Sequence, residues 1–160
     1  MTRKPLVIAV AGLVLVAAIF VNGCASEVDD PHQSDSVLSV ESISPDLVVS
    51  LNANLTDDLV TAVVSATSRG DAQGSSLNDV IIDNYSVFYD PPLNGTVGAL
   101  NFATTLVVKS GGTSTLTVVA IPVGMKPLVS AVVNATLQVE GRDTLGNPTS
   151  ASGRFTILLN

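Results

Sequence analysis

The sequence predicts an all-β domain, an antiparallel sandwich of about seven to eight short strands, behind an apolar N-terminal segment. Three observations point that way. Beyond position 37 the chain is dense in Val, Thr, Ser, Leu and Ile and is broken repeatedly by Gly, Pro, Asn and Asp, so strand formers are separated by turn formers. Ala135, Leu137, Val139 and Gly141 alternate with Thr136, Gln138, Glu140 and Arg142, a period of two with one apolar face. Turn signals bound runs of strand length along the whole region, as in sandwiches and barrels.

In chain order, the first segment carries Arg3 and Lys4 and then runs from Leu6 to Phe20 in Leu, Val, Ile and Ala, interrupted only by Gly12. A short positive region followed by an apolar one is the composition of an inserting helix. The run from Leu6 to Val21 is shorter than the about 18 residues that a membrane-crossing helix needs, so a cleaved signal is the expectation. Gly23, Ala25 and Ser26 are small enough to admit a peptidase to the backbone. Cys24, between them, is the chain's single cysteine and has no partner for an intramolecular disulfide.

Val21-Asn22-Gly23-Cys24 resembles the lipobox of bacterial lipoproteins: Val21 is the aliphatic residue, Gly23 the small residue before the cysteine, and Asn22 departs from the usual Ala, Ser or Thr. The resemblance implies cleavage between Gly23 and Cys24 and acylation of Cys24. Two or more acyl chains hold a protein stably on a membrane, at about 0.8 kcal/mol per buried methylene. The expected location is the cell envelope, with Ala25 and Ser26 favouring the outer membrane where the organism has one.

Residues 24–37 are poor in apolar side chains and read as a flexible tether. His32, the only histidine, falls here, where it has no fixed partner and is expected to be solvated. Residues 38–160 form the expected domain. Candidate strands are Val37–Ser44, Leu47–Leu55, Leu59–Ser68, Val80–Tyr89, Leu100–Lys109 and Thr115–Pro122. Asp57 or Asp58 could instead cap a helix, although Thr61, Val63, Val64 and Thr67 are β-branched and disfavour it. Ser68 to Asn78 reads as an exposed loop, and Pro91-Pro92 is expected to end its strand, because proline cannot donate to a ladder. The alternating run from Ala135 and the run containing Phe155, Ile157 and Leu159 are expected to pair as a hairpin through Asp143-Thr144-Leu145-Gly146-Asn147-Pro148.

This strand series, with Val139-Glu140-Gly141-Arg142-Asp143-Thr144-Leu145-Gly146-Asn147 before Ser152-Gly153-Arg154-Phe155-Thr156-Ile157, resembles the immunoglobulin-like and fibronectin type III-like sandwiches of bacterial envelope proteins. Tyr85-Ser86-Val87-Phe88-Tyr89 ahead of that ending is similar to uncharacterised lipoproteins. The paired cysteines and core tryptophan of antibody-type domains are absent. The resemblance implies a fold and leaves the role open.

Charge and motifs narrow the function. Asp and Glu number 14 against 7 Lys and Arg, and loss of Arg3 and Lys4 makes the remainder more acidic than the whole chain's formal −7. Such a surface repels phosphate backbones, so nucleic acid is not an expected partner. No Gly-x-Ser-x-Gly elbow accompanies a histidine, Gly111-Gly112-Thr113-Ser114 lacks a P-loop lysine, and no Asp-x-Asp-x-Asp-Gly calcium loop occurs. No catalytic residue, cofactor or metal is therefore expected. The leading expectation is a non-catalytic module displayed by a lipid on Cys24, meeting an envelope protein through a sheet edge, loop tips or the aromatic strand, with Tyr85, Phe88 and Tyr89 as the candidate contact surface; Tyr85, Val87 and Tyr89 share one face of that strand and Phe88 points to the other. The alternative is a small glycan-acting or hydrolytic lipoprotein using Asp79, Asp83 and Asp90 or Asp143, since glycosidases need only two carboxylates.

Overall fold

The computed structural model describes residues 34–51, 55–69, 76–126 and 130–160. Gly23, Cys24 and His32 lie outside the described residues, as does most of the expected loop after Ser68. Eight strands are present: β1 Ser36–Ser44, β2 Leu47–Ser50, β3 Asp58–Ser68, β4 Val80–Leu93, β5 Val97–Val108, β6 Gly112–Ile121, β7 Ala131–Asp143 and β8 Pro148–Leu159. One-turn 3₁₀ segments at Ser76–Asn78 and Val123–Met125 lead into β4 and follow β6.

The strands form two sheets, ordered β1-β3-β6 and β2-β8-β7-β4-β5. In the immunoglobulin scheme, strands A, B and E share one sheet and C, F and G the other. Here β1, β3 and β6 take the first set, and β4, β7 and β8 the second. β5 adds a strand beside β4, and β1 and β2 are halves of a split first strand. The fold is an immunoglobulin-like sandwich.

One pairing departs from the antiparallel expectation. β2 runs parallel to β8, from Leu47 opposite Thr156 to Ser50 opposite Leu159. β1 already points the same way as β8, and the chain changes sheets at the cis Ser44–Pro45 bond without reversing. The strand therefore joins its new neighbour in parallel, fastened by Thr156 N–H to the Asp46 carbonyl and Asn160 N–H to the Ser50 carbonyl.

The expected strand from Leu59 is borne out over its helical alternative, and one further expectation is corrected. Asp58 begins β3 and caps no helix; the β-branched residues after it pair with both β1 and β6. Pro91-Pro92 does not end β4, which continues to Leu93. Asp90 is the last residue of β4 opposite β7, and the β4–β5 ladder skips from Phe88/Ala99 to Leu93/Val97. The prolines sit in that gap, where no ladder donor is required. Ser34 and Ser36, ahead of position 38, are buried.

Inward-facing side chains of the two sheets meet in one core. Ile82, Val87, Leu137, Val139 and Ile157 from the five-stranded sheet pack with Val60, Val64 and Val118 from the three-stranded one. Gly153 of β8 lies close against β1. A Cβ there would lie 2.8 Å from Val40 Cγ1 and 2.9 Å from Ile43 Cδ1.

Candidate functional site

β4 carries the residues expected to meet a partner, and its alternation sorts them. Tyr85 and Tyr89 share the inner face with Val87 and are each only 4% exposed, so neither is part of a surface; this corrects the expectation that they are. Their hydroxyls explain how they are buried. The Val119 N–H of β6 donates to the Tyr85 hydroxyl at 3.1 Å, and the Tyr89 hydroxyl donates to the Ala120 carbonyl at 2.7 Å. Buried polar tips with partners cost little, whereas unpartnered ones would oppose folding. Burial raises the Tyr89 hydroxyl above the ordinary tyrosine value, reinforced by the neighbouring Tyr85. Phe102 stacks on Tyr85 with ring centroids 5.0 Å apart.

Phe88 points the other way and is 42% exposed. Ladder registers give its surroundings on the outer face. Across the sheet, Ala99, Phe88, Thr136 and Arg154 form one row, and Asn101, Ser86, Gln138 and Ser152 form the next. Ser86 Oγ donates to Asn101 Oδ1 at 2.6 Å, and Gln138 Nε2 donates to Glu140 Oε1 at 2.9 Å. Two open hollows flank the ring. One, of about 450 Å³, is floored by Asn84, Ser86, Asn101 and Gln138. The other, of about 650 Å³, is bounded by Asp46, Asp90, Asn134 and Arg154. An aromatic ridge between one amide- and hydroxyl-lined hollow and one bounded by charged groups can anchor a partner's apolar group while its polar groups find hydrogen bonds on both sides.

A second exposed apolar row lies at the end of the same face where β8 finishes. Val49 stands opposite Leu158, which stands opposite Val132. Val49 is 49% and Val132 60% exposed.

Three carboxylates of the catalytic alternative, Asp143, Asp79 and Asp83, are engaged in holding strands and turns. Asp143 is almost fully buried and accepts four hydrogen bonds: from Ser34 Oγ, Leu145 N–H, Asn147 N–H and Asn147 Nδ2, at 2.9–3.0 Å. Burial alone would raise its pKa, but the bonds from Asn147, Ser34 and Leu145 outweigh it and hold the carboxyl below its ordinary value. Asp79 accepts from Ser110 N–H at 2.9 Å and has the Lys109 ammonium 3.7 Å away. Asp83 pairs with Arg142 at 3.2 Å. Asp83 and Asp90 are seven residues apart on one strand, roughly 23 Å at the rise of extended chain. Paired glycosidase carboxylates lie about 5–9.5 Å apart. Among the described residues no group of three or more His, Cys, Asp or Glu side chains could hold a metal ion.

The most buried ion pair was not apparent from the sequence. Lys126 Nζ lies 2.9 Å from Asp58 Oδ1, with side chains only 4% and 8% exposed, and Ser50 Oγ donates to the other oxygen. The neighbouring Asp57 accepts from Val123 N–H at 2.8 Å. The Asp57-Asp58 pair is the visible signal, and its use is to fasten the chain leaving β6 to the start of β3.

No protein-family model, no curated protein and no solved structure matches this chain.

Proposed function

We propose that this protein is an envelope lipoprotein, anchored by acyl chains on Cys24 after cleavage behind Gly23. Its immunoglobulin-like domain acts as a non-catalytic interaction module. The observation that carries the docking half is the outer face around Phe88: a half-exposed aromatic, fixed at mid-strand on a rigid sheet, between two polar hollows. Rigid aromatic anchors set in polar surroundings dominate the energetics of protein docking. The bonds that commit Asp79, Asp83 and Asp143 to strand and turn contacts support a non-catalytic role. The anchoring half rests on the lipobox-like residues and on the lack of a second cysteine. It places the module on a membrane surface, the outer membrane where one exists, facing an envelope protein rather than nucleic acid.

Two measurements in the producing cell test this reading. Labelled palmitate is incorporated by the wild type and not by Cys24→Ser; equal incorporation by both overturns the anchor. Cross-linking of the anchored full chain captures an envelope protein from the wild type and at least tenfold less from Phe88→Ala. Equal capture by both removes Phe88 from the docking surface.

A further inference from the structure

Four strand edges bound the two sheets, belonging to β1 and β6 in one and to β2 and β5 in the other. An open edge is a template for another chain, and folded proteins blunt it with short strands, bulges, charges or side-chain cover. Three of the four are blunted here. β2 has four residues. β1 is broken by a register shift between Val40 and Ser42, with the charged Glu41 inside it. β6 is blunted at one end, where it carries an extra residue, Ala120, between the pairs Asp58/Ile121 and Leu59/Val119 and where the Tyr85 and Tyr89 hydroxyls bond its backbone; from Thr113 to Val119 its register with β3 is regular.

β5 has none of these devices over its central stretch. It is 12 residues long and carries neither charge nor proline. From Pro91 to Met125, Lys109 is the only charged side chain in a chain of net charge −7. From Ala99 to Ala103 its register with β4 is unbroken; the shift at Thr104 and Thr105 and the bond from Ser114 Oγ to the Val107 carbonyl affect its far end, and the skip from Phe88/Ala99 to Leu93/Val97 its near end.

We infer that β5 is a self-association edge, and that its occupant is the β5 of a second copy of this chain, paired antiparallel about a twofold axis at Asn101. Three features select a second copy. The segment is self-complementary in that register: Ala99 of one copy faces Ala103 of the other, Leu100 faces Phe102, and Asn101 faces Asn101. The half-buried Leu100 and Phe102 are covered by each other. A chain this acidic is repelled by its own kind elsewhere, while the acids of the described residues all lie off β5 and β6. The pairing is isologous and occupies the β5 edge of each copy, leaving the four-residue β2 at both margins of the joined sheet, so that sheet closes at two copies. The result is one ten-stranded sheet. This inference stands independently of the lipid anchor and of any partner at Phe88.

Sedimentation velocity on the full chain carrying Cys24→Ser tests it, because that change removes the only thiol. Across a concentration series the chain is expected to double its mass from 16.4 kDa and to stop there. Asn101→Lys places two like charges face to face on the axis and is expected to return the chain to monomer, as is Asn101→Asp. An equimolar mixture of those two variants is expected to restore the dimer. Val132→Lys, on the other exposed apolar row, is expected to leave it intact. Circular dichroism verifies folding of each variant, and Ala103→Lys, at an exposed position on the same edge, replaces any Asn101 variant that fails. A monomer throughout, growth beyond two copies, a dimer that survives the lysine on β5, or a mixture that stays monomeric overturns the inference.

Discussion

At the scale of single residues, stability rests on a few acids that the composition alone would assign to the surface. Asp143 is the clearest. Its carboxylate satisfies the backbone of the β7–β8 turn and, through Ser34, fastens the chain as it enters the domain. Because its folded pKa is depressed, its contribution is complete above the unfolded carboxyl value of about 3.9 and is lost as pH falls through the folded value. Asp143→Asn is therefore expected to cost about 1.5–3 kcal/mol at pH 7. In urea unfolding measured between pH 7 and pH 2, the gap between wild type and variant should narrow steadily on the acid side; a gap independent of pH would refute the charged role. Asp58 makes a different case. Breaking a buried ion pair from one side strands the other charge, so Asp58→Ala is expected to cost about 3–5 kcal/mol. Replacing Asp58 and Lys126 together by Leu and Met should recover most of that loss in thermal unfolding, and no recovery would show that the pair is not the source.

At the scale of elements, alternation and turn chemistry were readable because each strand buries only one face. Every expected strand is present, β7 and β8 form the expected hairpin, and the inward set Tyr85, Val87 and Tyr89 follows from parity. Where the strands end was less readable, since a ladder can absorb a proline in a bulge, as β4 does, and that depends on a neighbour far away in sequence. The direction of β2 was hidden for the same reason: its partner, β8, is the last strand of the chain. Of the expected contact surface only Phe88 was readable as exposed, and its polar neighbours on β5 and β7 become adjacent only once the registers are known. Gly141 shows how closely the elements fit. A Cβ there would meet the Ile81 carbonyl oxygen at 2.5 Å and Ile82 Cα at 3.0 Å, beside the β4 bulge. Because these atoms are backbone and cannot turn aside, Gly141→Ala is expected to cost about 1–3 kcal/mol in chemical denaturation. A neutral result would mean that the bulge can shift.

At the scale of the whole molecule, the sandwich divides its labour between two faces of one sheet. The inner face of β4, β7 and β8 builds the core with Val, Leu and Ile, and the outer face of the same strands presents Phe88 among small polar groups. Substitutions on the two faces should therefore separate stability from recognition. The parallel pairing of β2 with β8 adds a property of a mechanical kind. These strands lie near opposite ends of the domain's chain, so a pull that separates those ends acts along the strands, across their hydrogen bonds, and must break them together. An antiparallel hairpin pulled from its open end would instead unzip one bond at a time. A module held at its N-terminal side and loaded through its C-terminal end would carry the force in shear across four paired residues, from Leu47–Thr156 to Ser50–Leu159.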